Sequence, residues 1–123
     1  MKSFFLVFIG GGIGSYLRYA VSIYMNSGTI KWLPTLIVNV LGCFLLGILW
    51  QLTERTDGIS HPRYLLLGIG FCGGLTTFST FSLELVKFIK NGDFLNAGLY
   101  FFGSMILGMI MLYLGYSIFK SFI

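Results

Sequence analysis

A chain of 123 residues that is 56% hydrophobic, only 10% charged and +0.88 in mean hydropathy cannot cover its own apolar surface in water. A soluble domain carries about a quarter charged residues. The formal net charge of +4 is spread thinly, which excludes a basic arm for nucleic acid, and no Walker A pattern supports nucleotide-driven transport. The composition places the chain in a lipid bilayer.

The start, "MKSFFLVFIGGGIG", imitates a signal peptide, with Lys2 before a short apolar run. No cleavage site of the A-x-A kind follows, and apolar character continues to about residue 25. The segment therefore reads as an uncleaved first span over 4–25. Arg18 lies within it, flanked by Tyr16 and Tyr19. Either its head snorkels to the interface or it lines an anion entrance. After "NSGTIK", a second span covers 33–52 and carries Asn39 in "LIVNVLG". An amide at that depth needs a partner, so it joins helices or lines a pathway.

"TERTDGISHP" is the most polar stretch and reads as a loop. A third span covers 64–89, and "KNGD" turns the chain into a fourth over 94–119. Each is long enough to cross about 30 Å of hydrocarbon. No linker divides the chain, so one all-α membrane domain of four helices is expected. His61 is a solvated loop side chain in this reading. Cys43 and Cys72 lie in apolar runs without ligand spacing, which reads as packing. No catalytic pair stands out, and no enzyme activity is expected.

The third span is interrupted by "GFCGGLTTFSTFS", Gly70 to Ser82. Gly73 and Gly74 are poor helix formers, and Thr76 and Thr77 can bond backbone carbonyls instead of continuing the ladder. An unwound turn over 73–77 is expected. Irregular backbone at membrane depth occurs only where it is buried in protein or lines water, and such breaks commonly mark ion sites. Past the break, Phe78 and Phe81 share a helical face, beside a stripe of Thr77, Thr80 and Glu84. Paired phenylalanines can be plain packing, and the hydroxyls can be bonding their own helix; both features coincide here with the break. Tyr100 and Ser104 in the fourth span form a short polar track. Glu84, seven residues past the break, sits nearer a mouth than the centre.

Glycines in "GGGIGS" (Gly10 to Ser15) and at Gly70 and Gly74 offer faces where helices can approach closely. With four spans, Lys2, Arg55, Arg63 and Lys120 lie on one side and Lys31, Lys87 and Lys90 on the other. Leaving out Arg18 within the first span, a count of four against three gives almost no orientation signal. Either copies insert both ways and pair as an antiparallel dimer, or an uncounted feature sets the orientation.

A pathway equipped with an amide, hydroxyls and phenyl rings favours a small anion. The amide and hydroxyls donate hydrogens, and a phenyl edge is electropositive. No ring of acids is present for cations, and no deep carboxylate for proton coupling.

With these residues in hand, the chain resembles the Fluc (CrcB) family of fluoride channels. The resemblance is carried by the glycine-rich start with Arg18, "NVLG" at Asn39 to Gly42, and above all "GFCGGLTTFSTFS". It implies a dual-topology homodimer in the plasma membrane, passive and selective for fluoride, with two pathways that relieve fluoride toxicity. It implies pathway roles for Asn39, Phe78, Phe81, Ser79, Thr80, Tyr100 and Ser104, and pore-mouth positions for Arg18 and Glu84. It further implies a structural sodium ion at the dimer interface, held by the backbone carbonyls of Gly73 and Thr76, and no organic cofactor. The family's track on the fourth helix can carry one more hydroxyl where this chain has Gly108.

Two other readings remain. A proton-coupled exporter of the small multidrug-resistance type also has four spans, but it needs an acid deep in the first span, where this chain has Arg18. A non-transporting assembly subunit leaves the clustered Thr, Ser and Phe residues without a purpose.

Overall fold

A computed structural model of the chain describes residues 1–120. Among these, every regular element is helical: α1 (Lys2–Tyr24), α2 (Leu33–Thr53), a 3₁₀ turn (Gly58–Ser60), a π-helical segment (Tyr64–Cys72), α3 (Gly73–Leu75), α4 (Phe78–Lys90) and α5 (Phe94–Lys120). Four helical stretches are long and apolar enough to cross a membrane, the third running Tyr64–Lys90 through the π segment, α3 and α4. The observed spans agree with the hydropathy limits to within two residues at each end.

Local chemistry sets those ends. Pro34 sits in the first turn of α2, where a missing N–H costs nothing. Lys87 and Lys90 complement the C-terminal dipole of α4. Gly92, at φ +72°, makes the turn into α5 in a conformation open to glycine. Asp93 Oδ1 then accepts from the Asn96 N–H at 3.3 Å and caps the new helix.

The helices pack through small residues. α1 lies on the π segment and α3, while α2 packs on α5 and also touches the π segment. A methyl group at Gly14 would collide with the Phe71 carbonyl oxygen, and one at Gly74 with the Gly11 carbonyl oxygen. The predicted glycine faces of α1 and the third span are thus in backbone contact. A second contact of the same kind joins α2 and α5, where Gly47 meets the Leu112 carbonyl and Gly115 meets that of Phe44. Without a hydrophobic drive between helices in lipid, such close approach supplies the packing energy. Large apolar side chains such as Phe4, Phe8, Leu95 and Phe102 stay exposed on the outer surface, as lipid-facing groups do.

The third span differs from expectation in two ways. Its first half is π-helical over Tyr64–Cys72, which neither composition nor periodicity signals. The break also falls later than the glycines. Gly73 and Gly74 remain helical in α3, and the extended residues are Thr76 (φ −82°, ψ 154°) and Thr77 (φ −150°, ψ 120°). Gly74 serves close packing on α1, and the threonines do the breaking.

Candidate functional site

The break is held open by three side chains. Thr76 Oγ1 donates back to the Cys72 carbonyl at 2.7 Å, which closes α3. Thr77 Oγ1 accepts from the Thr80 N–H at 3.2 Å and so caps α4. Asn39, half-buried on α2, then bonds the Thr77 backbone on both sides. Its Oδ1 accepts from the Thr77 N–H at 2.7 Å, and its Nδ2 donates to the Thr77 carbonyl at 3.1 Å. The expected partner of the buried amide is therefore the broken strand of chain itself.

The break takes the helical donors from four carbonyls, those of residues 73–76. In a continuous helix the Gly73 carbonyl would accept from Thr77 N–H and the Thr76 carbonyl from Thr80 N–H. The first donor is taken by Asn39 and the second by the Thr77 hydroxyl.

A cavity lies on each side of the break. One, of about 510 Å³, is lined by Asn39, Thr77, Phe78, Phe81, Ser104 and Gly108 among others. Ser104 lines this cavity, and its Oγ is buried with no hydrogen-bond partner. Where the fourth-helix track could have continued, Gly108 offers the same cavity no side chain. The other cavity, of about 360 Å³, is lined by Ser15, Arg18, Ser22, Thr35, Thr77 and Thr80. Thr77 borders both and stands between them.

The two phenyl rings have different surroundings. Phe81 is 2% exposed and packs on Tyr100 (ring centroids 5.0 Å) and Phe101 (6.2 Å). Phe78, 6.2 Å from Phe81, is 75% exposed on the single chain. Ser79 is exposed as well, its hydroxyl 3.2 Å from Thr77 Oγ1. Thr77 Oγ1 also lies 3.2 Å from the Thr80 hydroxyl, which faces the Arg18 cavity.

Glu84 is the centre of a separate cluster. Thr35 Oγ1 donates to its Oε1 at 2.8 Å and Tyr100 OH to its Oε2 at 2.6 Å. Tyr100 is buried and sandwiched by Trp32 (5.1 Å) and Phe88 (6.1 Å). Both carboxylate oxygens are thus met by hydroxyl donors, which are short and strong toward an ionised acceptor.

Asn39, Phe78, Phe81 and Ser104 thus share one cavity, and Arg18 and Thr80 the other. Tyr100 is turned to Glu84 rather than joined to Ser104, and Ser79 lies at the exposed edge of the break. Two residues had no site role in the sequence reading. Thr77 was visible as a helix breaker and as part of a stripe, but not as a residue bordering both cavities. Thr35 stands one turn before Asn39 on α2, and that i, i+4 spacing was the available signal.

Residues 5–116 match the family described as CrcB-like protein, Camphor Resistance (CrcB). Several relatives are similar over most of their length, each named fluoride-specific ion channel FluC. That of Phocaeicola vulgatus is 45% identical over 117 residues, covering 94% of this chain and 96% of the relative. That of Oceanobacillus iheyensis is 41% identical over 115 residues, covering 94% and 89%. That of Azobacteroides pseudotrichonymphae is 40% identical over 124 aligned positions, covering 99% of each.

Proposed function

The chain belongs to the CrcB-like family, and from that membership we propose that it is a passive, fluoride-selective channel that lets fluoride leave the cytoplasm. It is a multi-pass protein of the plasma membrane and not an enzyme. The working unit in this reading is a homodimer of oppositely inserted copies, with two pathways. The observation that carries the reading is the break at Thr76–Thr77, clamped by Asn39 between two cavities of opposite lining.

The chemistry runs along those linings. Arg18 draws a small anion toward the break, in a cavity also lined by Ser15, Ser22, Thr35 and Thr80. A strongly hydrated anion must find donors for each water it sheds, yet be held weakly enough to leave. Asn39 keeps one N–H beyond the one given to Thr77, and Ser104 keeps its hydroxyl free of protein partners. Phe81, with Phe78 beside it, presents electropositive ring edges that attract an anion without a full charge. Ser79 adds a hydroxyl at the outer edge. A bare carboxylate at Glu84 would repel the ion. The Thr35 and Tyr100 hydrogens that meet its oxygens spread that charge and can swing toward a passing anion.

By the family resemblance, a structural sodium ion would be held by the backbone carbonyls of Gly73 and Thr76, two of the four that lose their helical donors at the break, doubled by those of a second copy. When bound, it supplies positive charge near the low-dielectric centre. Support for the dimer comes from the near-even spread of lysine and arginine between the two sides and from the exposed Phe78 beside the break.

The test is efflux from proteoliposomes, fluoride beside chloride, with and without a proton uncoupler. Fluoride should leave down its gradient with chloride retained and no effect of the uncoupler. Strict dependence on a proton gradient would favour the exporter instead.

A further inference from the structure

Four sulfur atoms border the larger cavity from three elements: Cys43 on α2, Cys72 at the end of the π segment, and Met105 and Met109 on α5. The antiparallel register of α2 and the third span relates the two thiols. Asn39 bonds Thr77, a methyl group at Gly42 would collide with the Thr76 side chain, and Trp50 lies 6.3 Å from Tyr64. These contacts run in opposite senses along the two elements, and both Cys43 and Cys72 line the one cavity between them. Cys43 also reaches α5, because a methyl group at Gly108 would lie 3.4 Å from its sulfur. Both cysteines are free thiols.

We propose that Cys43 and Cys72, with the Met105 and Met109 thioethers at the cavity rim, form a binding site for a soft monovalent cation of the cuprous or silver type. Thiolates and thioethers select such ions over hard ones, so sodium is not a competitor here. Binding exchanges two S–H bonds for two metal–sulfur bonds and releases two protons, with no change of oxidation state. The bound ion would tie α2 to the third span inside a cavity that Phe81 and Ser104 also line. The proposal does not depend on the fluoride reading.

Silver nitrate is the probe, added to the purified full chain in detergent without chloride and challenged with excess glutathione. After desalting, elemental mass spectrometry should find about one silver per chain. Retention should fall by roughly a hundredfold in Cys43→Ser and in Cys72→Ser, and by about tenfold in Met105→Leu, since even outer-shell partners of a metal are worth about 10- to 100-fold in affinity. No retention by the unaltered chain, or equal retention by the cysteine variants, overturns the site. Should a variant fail to fold, alkylation of the unaltered chain decides: silver must protect both thiols from N-ethylmaleimide together, and protection of neither or only one overturns the pair. In liposomes, silver should block flux of the unaltered chain while leaving Cys72→Ser at its own silver-free rate. Block of both alike would move the silver site elsewhere and refute the assignment. A chain that passes no fluoride but retains silver would refute the channel reading alone.

Discussion

Phe81 and Phe78 form one aromatic pair with unlike exposures, and this sets different expectations for each. Phe81 is enclosed by Tyr100 and Phe101, so Phe81→Ile keeps apolar volume but removes the ring edge. Fluoride flux should fall roughly tenfold or more, the rate equivalent of about 1.4 kcal/mol at the barrier. Unchanged flux in liposomes would refute a role for the phenyl edge. Asn39 faces a stricter demand, since it must both donate to and accept from Thr77. Asn39→Asp keeps the acceptor, loses the donor and adds a charge. It should cost about 1–3 kcal/mol of stability, the penalty of a buried group left unpaired, read as an earlier thermal unfolding midpoint. Tyr100→Phe removes one of the two hydroxyls on Glu84 while keeping the ring between Trp32 and Phe88. Slower fluoride efflux from a normally folded protein is expected, and a normal rate would remove this cluster from the pathway.

At the scale of elements, two glycine contacts hold the bundle, and they differ in how far residue order reveals them. The α1 face is a run of closely spaced glycines, and Gly70 and Gly74 sit four apart, so each face is visible alone. Gly47 and Gly115 are isolated, and only the pairing of α2 with α5 brings them to opposing backbones. Gly74→Val and Gly47→Val should each destabilise by about 1–3 kcal/mol through overpacking, measured by detergent-resistant unfolding. The break was legible over 73–77 from the glycines and threonines together. The structure narrows it to Thr76 and Thr77, with Gly73 and Gly74 still helical and Gly74 packed on α1. Thr35, Glu84 and Tyr100 were harder still. They come from three elements, and no local pattern connects residues 49 and 16 positions apart. Hydropathy could delimit the four spans because lipid imposes that signal residue by residue. It carries nothing about hydrogen-bond geometry, so the π turn of Tyr64–Cys72 was invisible.

For the whole molecule, the proposed antiparallel pairing makes orientation the property to test. Adding several lysines to one loop should fix a single insertion and lower activity, with recovery when a partner fixed the opposite way is co-expressed. Full activity from a one-way population, measured as fluoride resistance of cells, would exclude the antiparallel assembly. A further consequence follows from the Asn39 clamp. The Thr77 N–H is secured by a neighbour's side chain rather than by its own helix. Its amide deuteration rate therefore reports on the docking of two spans, and every other amide in the bundle can serve as its internal clock.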